Sequence, residues 1–138
     1  MKHREIFITQ LDKERLEELI SVVDEFGKNG HQDLTDLKTE LSRAKIVPST
    51  KVPSDVVTMN SKVVLYDLDT SKQIAYTLVF PRDANIDEGR ISVLAPLGTA
   101  ILGYSVGATI EWQVPSGKRH IRIEKILYQP EASGDFHL

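Results

Sequence analysis

Cysteine is absent from this chain of 138 residues. That excludes a disulfide framework and any thiolate metal site, and it suits a reducing compartment. An excess of positive charge is missing too: the formal net charge is −3, whereas a general nucleic-acid binder normally carries a basic face. No apolar run approaches the roughly 18 residues that a membrane span needs. The opening segment, MKHREIFITQLDKERL, has neither a sustained apolar core nor a small-residue cleavage site. No internal repeat or low-complexity tract is visible. These absences predict a cytoplasmic protein with no membrane association, no specific nucleic-acid binding and no small-molecule substrate.

The marks of catalysis are missing as well. His3, His31, His120 and His137 are scattered, with no carboxylate or second histidine at helical ligand spacing. Gly98, Gly103 and Gly107 lack both the lysine-serine pair of a phosphate loop and the dinucleotide-binding spacing. Ser116 and Ser133 sit in turns without a nucleophile-elbow frame. The reading is of a non-enzyme that uses no cofactor.

What is present is pattern. Ile6-Phe7-Ile8 is a short strand or docking segment, and Thr9 is placed to cap a helix with Asp12 in its first turn. Leu16, Leu19, Ile20, Val23 and Phe26 follow helical spacing and make one apolar stripe. Gly27 and Gly30 end that helix. A second helix starts near Asp33 and carries Leu34, Leu37, Leu41 and Ala44 at coiled-coil spacing. With about four turns each, the two are expected to fold back on one another as an antiparallel hairpin on the order of 20 Å long. Pro48 and Pro53 flank a polar linker, which places a domain boundary near residue 50: a helical hairpin over 1–50 and a second domain over 51–138.

Beyond the boundary the texture turns to strands. Val56 to Met59 reads as an extended piece, and Lys62 to Leu68 and Gln73 to Phe80 read as a β-hairpin. A polar loop from Pro81 to Gly89 comes next. Ile91 to Leu94 forms a strand, and Pro96 opens a short helix that Gly103 ends in a left-handed conformation. Thr109 to Val114, a turn at Pro115 to Lys118, and Arg119 to Tyr128 complete the set, with Ile121, Ile123 and Ile126 inward. The tail, QPEASGDFHL, is too short to fold alone. The class is α+β: the helical hairpin, then an antiparallel sheet of about five strands crossed by one short helix. The aromatic residues Tyr66, Tyr76, Phe80, Trp112 and Tyr128 fall on strands, where such residues are usually core.

One side-chain constellation bears on chemistry. Asp24, Glu25, Asp33 and Asp36 gather at the hairpin tip. Asp33 and Asp36, three apart, are candidate Mg²⁺ ligands, since that ion takes oxygen donors and keeps most of its waters. Acids in a first helical turn are also favoured by the helix dipole whatever the function.

The stretch from Ile91 to Gly107 carries a family resemblance. Ala95-Pro96-Leu97-Gly98, Ala100-Ile101-Leu102-Gly103-Tyr104 and Val106-Gly107-Ala108 resemble the serine-proline-leucine-glycine turn, alanine-leucine-leucine-glycine-lysine helix and valine-glycine-aspartate strand start of the Gre transcript-cleavage factors. Pro115-Ser116-Gly117-Lys118 is similar to that family's turn before its last strand. Ala95, Tyr104 and Ala108 depart from the pattern. Together with Asp55 to Ser61 and the tail from Tyr128 to Asp135, the combination resembles a shorter group of that family, the regulators of nucleoside diphosphate kinase.

The resemblance implies an FKBP-like C-terminal domain and an N-terminal coiled-coil hairpin. It also implies RNA polymerase as the protein partner, bound near its secondary channel in competition with Gre-type factors, with an indirect effect on nucleoside diphosphate kinase levels. The expected contacts are Pro96, Leu97, Gly98, Thr99, Ile101 and Tyr104 on the short helix and its loop, with Asp33 and Asp36 at the tip. The alternative is a transcript-cleavage factor that uses the tip carboxylates. The hairpin is expected to be too short for that, because catalytic groups must come within bonding reach of the reacting atoms. A prolyl isomerase is suggested by the FKBP-like fold alone, which is a weak warrant.

Overall fold

The computed structural model describes residues 6–26, 34–114, 117–136 and 138. β1 (Phe7–Thr9) runs directly into α1 (Gln10–Phe26). The hydroxyl oxygen of Thr9 accepts from the amide of Asp12 at 3.0 Å, which is the expected cap. Leu16 on the apolar stripe is fully buried, while Leu19 and Ile20 pack at the edge of the core.

α2 (Thr35–Arg43) is shorter than the pattern predicts. It has nine residues, about 14 Å at 1.5 Å each, rather than four turns. The chain leaves the helix at Ala44, whose ψ of 148° is extended, because Lys45–Val47 is drawn into a strand, β2. β2 pairs in parallel with β1, Phe7 with Lys45 and Thr9 with Val47. Three residues are too few to show an alternation, so the sequence pattern ran the helix through Ala44 and missed the strand. Of the predicted tip from Gly27 to Asp36, residues 27–33 lie outside the described residues, as do the side chains of Asp24, Glu25, Phe26, Asp36 and Trp112 and the turn residues Pro115 and Ser116.

Val56 to Met59 is buried throughout but is no strand; a single bridge joins Val56 to Ser105. β3 (Lys62–Asp67), β4 (Lys72–Val79), β5 (Arg90–Ser92), β6 (Thr109–Val114) and β7 (Gly117–Tyr128) form a five-stranded sheet in the order β5-β4-β3-β7-β6. The expectation of a wholly antiparallel sheet is corrected at one edge. The polar segment between β4 and β5 makes two 3₁₀ turns, Pro81–Asp83 and Ile86–Glu88, and loops back so that the chain re-enters beside Thr77, alongside the last three residues of β4. β5 therefore runs parallel to it, Leu78 beside Ile91.

α3 (Pro96–Ile101) packs on the inner face of the sheet, whose apolar positions include Val63, Leu65, Ile110, Ile121 and Ile123. The register of β3 on β7 shifts twice: Leu65 faces Ile123 while Val64 faces Lys125, and Val63 faces Ile126 while Lys62 faces Tyr128. The extra residues are Glu124 and Leu127. Bulges of this kind twist the strand end, and here Ile126 is left half-buried and Leu127 exposed. A single cluster runs from Ile6, Ile8 and Leu16 through Leu37, Leu41 and Met59 to the sheet. The tail docks through buried Gln129, whose amide donates to the carbonyls of Pro53 and Val56, each at 2.8 Å. No described helix is long and apolar enough to cross a membrane.

Candidate functional site

The segment from Ser92 to Tyr104 is held by its own backbone. Ala95 donates to the Ser92 carbonyl, and Pro96, whose missing N–H costs nothing at a helix start, opens α3. The Thr99 hydroxyl reaches back to the Val93 carbonyl at 2.6 Å. Gly98 lies flat against β5: a Cβ there would stand 2.1 Å from the Ser92 carbonyl oxygen. After the helix, Gly103 takes φ +84° as expected. Its amide donates to Val57 and its carbonyl accepts from Phe7 at 3.1 Å, so one residue ties the helix end both to the buried segment before β3 and to β1.

This packing sorts the expected contact residues. Ile101 is fully buried, Gly98 is buried and Thr99 is 8% exposed, so these three shape the segment from beneath. Pro96 is exposed, and Leu97 and Tyr104 are half-buried. Tyr104 also reaches the helical part of the chain. Its hydroxyl oxygen accepts from Arg43 Nη2 at 2.6 Å, and its ring lies 5.8 Å from that guanidinium. Arg43 is further held by Glu40, Nε to Oε1 at 3.1 Å. The exposed edge of α3 and the last turn of α2 are thus one continuous surface.

Of the tip acids, Asp36 falls in the first turn of α2 and Asp33 lies outside the described residues. Among the described residues no group of three His, Asp or Glu side chains is placed to hold a metal ion. The hydroxyl of Thr99 is committed to a carbonyl and that of Tyr104 to a cation. What the surface offers a partner is shape, one aromatic ring and the backbone around Pro96, the means of non-covalent docking.

A second polar group was not singled out by sequence. Asp12, 1% exposed, is bound by Arg15 Nη2 at 2.6 Å and by the amide of Met59 at 3.1 Å. Burial pushes its carboxyl up, against the lowering effect of those two partners. Nearby Glu131 accepts from the Thr58 hydroxyl at 2.7 Å and is likewise raised by burial. Arg15 also donates to the Leu138 carbonyl and lies over the ring of Phe80. The one signal in the sequence was Thr9 three residues before Asp12, read there only as a cap and a dipole partner.

The family model described as "Transcription elongation factor, GreA/GreB, C-term" matches residues 52–128, and that described as "Rnk N-terminus" matches residues 4–47. The chain is 37% identical to the regulator of nucleoside diphosphate kinase of Escherichia coli strain K12, over all of both chains. It is 41% identical to transcription elongation factor GreA of Chlorobium phaeobacteroides strain BS1, over 67% of this chain and 59% of that protein. Among solved structures it is similar to a prokaryotic transcription elongation factor GreA/GreB from Nitrosomonas europaea. The identity there is 37% and the TM-score 0.73, with 90% of this chain and 100% of that one covered.

Proposed function

The chain belongs to the GreA/GreB family of transcription elongation factors, and from that premise we propose that it is a cytoplasmic, non-catalytic regulator that binds RNA polymerase near its secondary channel. The domain over 51–138, FKBP-like in this reading, docks by the α3 surface of Pro96, Leu97 and Tyr104, with Gly98, Thr99 and Ile101 as its support. The domain over 1–50, a short coiled-coil hairpin, points into the channel and brings Asp33 and Asp36 toward the polymerase. Occupying that place, the protein competes with Gre-type factors. Its effect on nucleoside diphosphate kinase levels is indirect, through transcription.

The observation that carries this reading is the length of α2. Nine residues reach about 14 Å, after which the chain is committed to β2. The GreA relative extends well beyond the part it shares with this chain, which is 59% of its length. A group that assists bond cleavage must stand within bonding distance of the reacting atoms, and a short hairpin keeps its tip acids away from them. Docking without cleavage is what remains.

The test is competition. Labelled Gre factor bound to core RNA polymerase is titrated with this protein, and displacement is followed by fluorescence anisotropy. Displacement at micromolar concentration supports the reading. Failure to bind the polymerase at all at that concentration removes it, and binding without displacement moves the site elsewhere.

A further inference from the structure

The face of the sheet turned away from α3 is unlike the rest of the molecule. Strand pairing sets Lys62, Val64 and Tyr66 of β3 beside Tyr128, Lys125 and Arg122 of β7, and Gln113 of β6 beside Lys118. Four cations, Lys118, Arg122, Lys125 and Lys62, therefore follow the central strands as one stripe. From Lys118 to Lys125 the stripe runs about 23 Å at roughly 3.3 Å per residue. Two carboxylates on it face cations, Glu111 at 3.5 Å from both Lys118 and His120 and Glu124 at 2.6 Å from Arg122, and two more stand at its ends, Asp69 at 3.4 Å from His120 and Asp135, which accepts from the Tyr128 hydroxyl. Lys62 and Lys125 are exposed and make no ion pair among the described residues. In a chain of net charge −3, these two lysines are cations left open to an anionic partner.

Two further features narrow the occupant. The Arg122 guanidinium lies over the Tyr66 ring, 5.1 Å from its centroid, while both Nε and Nη2 are bonded to Glu124. Held from below and from the side, it presents a fixed, 42% exposed plane. The neighbouring strands carry small side chains at the same level, Ala75 and Thr77 on β4 and Thr109 on β6. The stripe thus has a level floor beside it. An acidic protein surface would use the lysines but has no need of a stacking plane or a flat floor. A single strand of nucleic acid uses all three, phosphates on the cations and a base on the plane.

We propose that the outer face of β3, β6 and β7 is a binding surface for single-stranded RNA of no fixed sequence. Lys62, Lys118 and Lys125 hold phosphates, and Arg122, braced by Tyr66 and Glu124, stacks a base. The surface lies across the sheet from α3, so it remains open when the α3 side is occupied. It does not depend on the docking reading above.

The test is anisotropy of a fluorescein-labelled oligouridylate with the full-length protein. Binding in 50 mM salt is expected in the range of about 10⁻⁴ to 10⁻⁶ M, weakening about 20-fold in 200 mM salt if three phosphates are held. Lys62→Ala/Lys125→Ala is expected to weaken binding at least fivefold and to flatten the salt dependence, while Lys125→Arg leaves both unchanged. Arg122→Lys keeps the charge and loses the plane. It is expected to weaken oligouridylate binding and leave binding of inorganic polyphosphate, which has no bases, unaltered. Unchanged urea midpoints show that the variants are folded. The proposal is overturned by no binding at about 100 μM protein, or by binding that Lys62→Ala/Lys125→Ala does not affect. It is equally overturned if polyglutamate displaces the RNA at equal charge, which would make the face a site for acidic protein.

Discussion

The backbone amide of Met59 donates to Asp12 Oδ2 at 3.1 Å, so a carboxylate in the first turn of α1 closes the turn that leads into β3. The other carboxylate oxygen takes Arg15, which also holds the carbonyl of Leu138. Start, middle and end of the chain meet at one buried side chain. Removing it leaves the buried Met59 amide without an acceptor and Arg15 with the Leu138 carbonyl alone. Asp12→Ala is expected to lower stability by about 3 kcal/mol, measured by urea denaturation. A loss under about 1 kcal/mol would mean that the contact is incidental.

The same site sets a pH dependence. Burial raises the carboxyls of Asp12 and Glu131 in the folded chain. Between their ordinary range near about 4 and the raised folded values, the folded state binds more protons than the unfolded one, so this part of the stability grows as pH falls. It is complete below the unfolded value and lost as pH rises through the folded one. The urea midpoint of the native protein, relative to Asp12→Asn/Glu131→Gln, is therefore expected to rise as pH is lowered from neutrality toward the ordinary carboxylate range. A flat or falling difference contradicts the assignment.

Gly98 and Gly107 provide a matched pair. A Cβ at Gly98 meets the Ser92 carbonyl at 2.1 Å, and backbone cannot give way there. Gly98→Ala is expected to cost more than about 3 kcal/mol and to abolish polymerase docking by displacing α3. At Gly107 nothing lies within 4 Å and only the φ of +93° is unfavourable. Gly107→Ala is expected to cost about 1 kcal/mol and to leave docking intact. Thermal or urea unfolding of the two variants separates the mechanisms.

Tyr104 has two duties that substitution can divide. Tyr104→Phe keeps the ring over Arg43 and loses the hydroxyl acceptor, at an expected cost of about 1 kcal/mol. Tyr104→Ala loses the ring as well. If the α3 surface docks on the polymerase, Tyr104→Ala weakens binding about tenfold or more while Tyr104→Phe changes it little. Equal effects in a titration of core polymerase would place the docking elsewhere.

The short α2 predicts that stalled transcription complexes given saturating protein show no shortening of their RNA on a denaturing gel. Asp36→Ala is expected to leave competition with a Gre factor within about twofold of the native protein, as for a rim charge worth little. Shortening that disappears in Asp36→Ala would restore the cleavage reading.

Much of the architecture was legible because it rests on local chemistry. The Thr9 cap, the Gly103 turn, the Pro96 start and β3, β4, β6 and β7 follow from spacing and from residues with few conformational options. The failures share a cause. β2 was lost because Lys45-Ile46-Val47 becomes a strand only with Phe7-Ile8-Thr9 beside it, and β5 runs parallel because of how the polar segment before it crosses. Tyr66 and Tyr128 read as core, but they sit on the outer face, half-buried, because period-2 alternation does not say which face is covered. The α3 segment was located by its motif. Which of its side chains are accessible was not, since that depends on the sheet beneath them.

By itself the sequence determined the class of protein: α+β, free of cysteine, with a helical start and the motif of a transcription-factor family. These are properties of composition, spacing and local backbone preference, each readable within a few residues. Only the tertiary structure decided that Asp12 is a buried link rather than a helix-end charge, that Arg43 and Tyr104 join the two parts of the chain, and that Lys62, Lys118, Arg122 and Lys125 share one face of the sheet. Each of these is a meeting of residues far apart in the chain. Burial and electrostatic environment belong to the neighbours that folding brings, not to the residue alone.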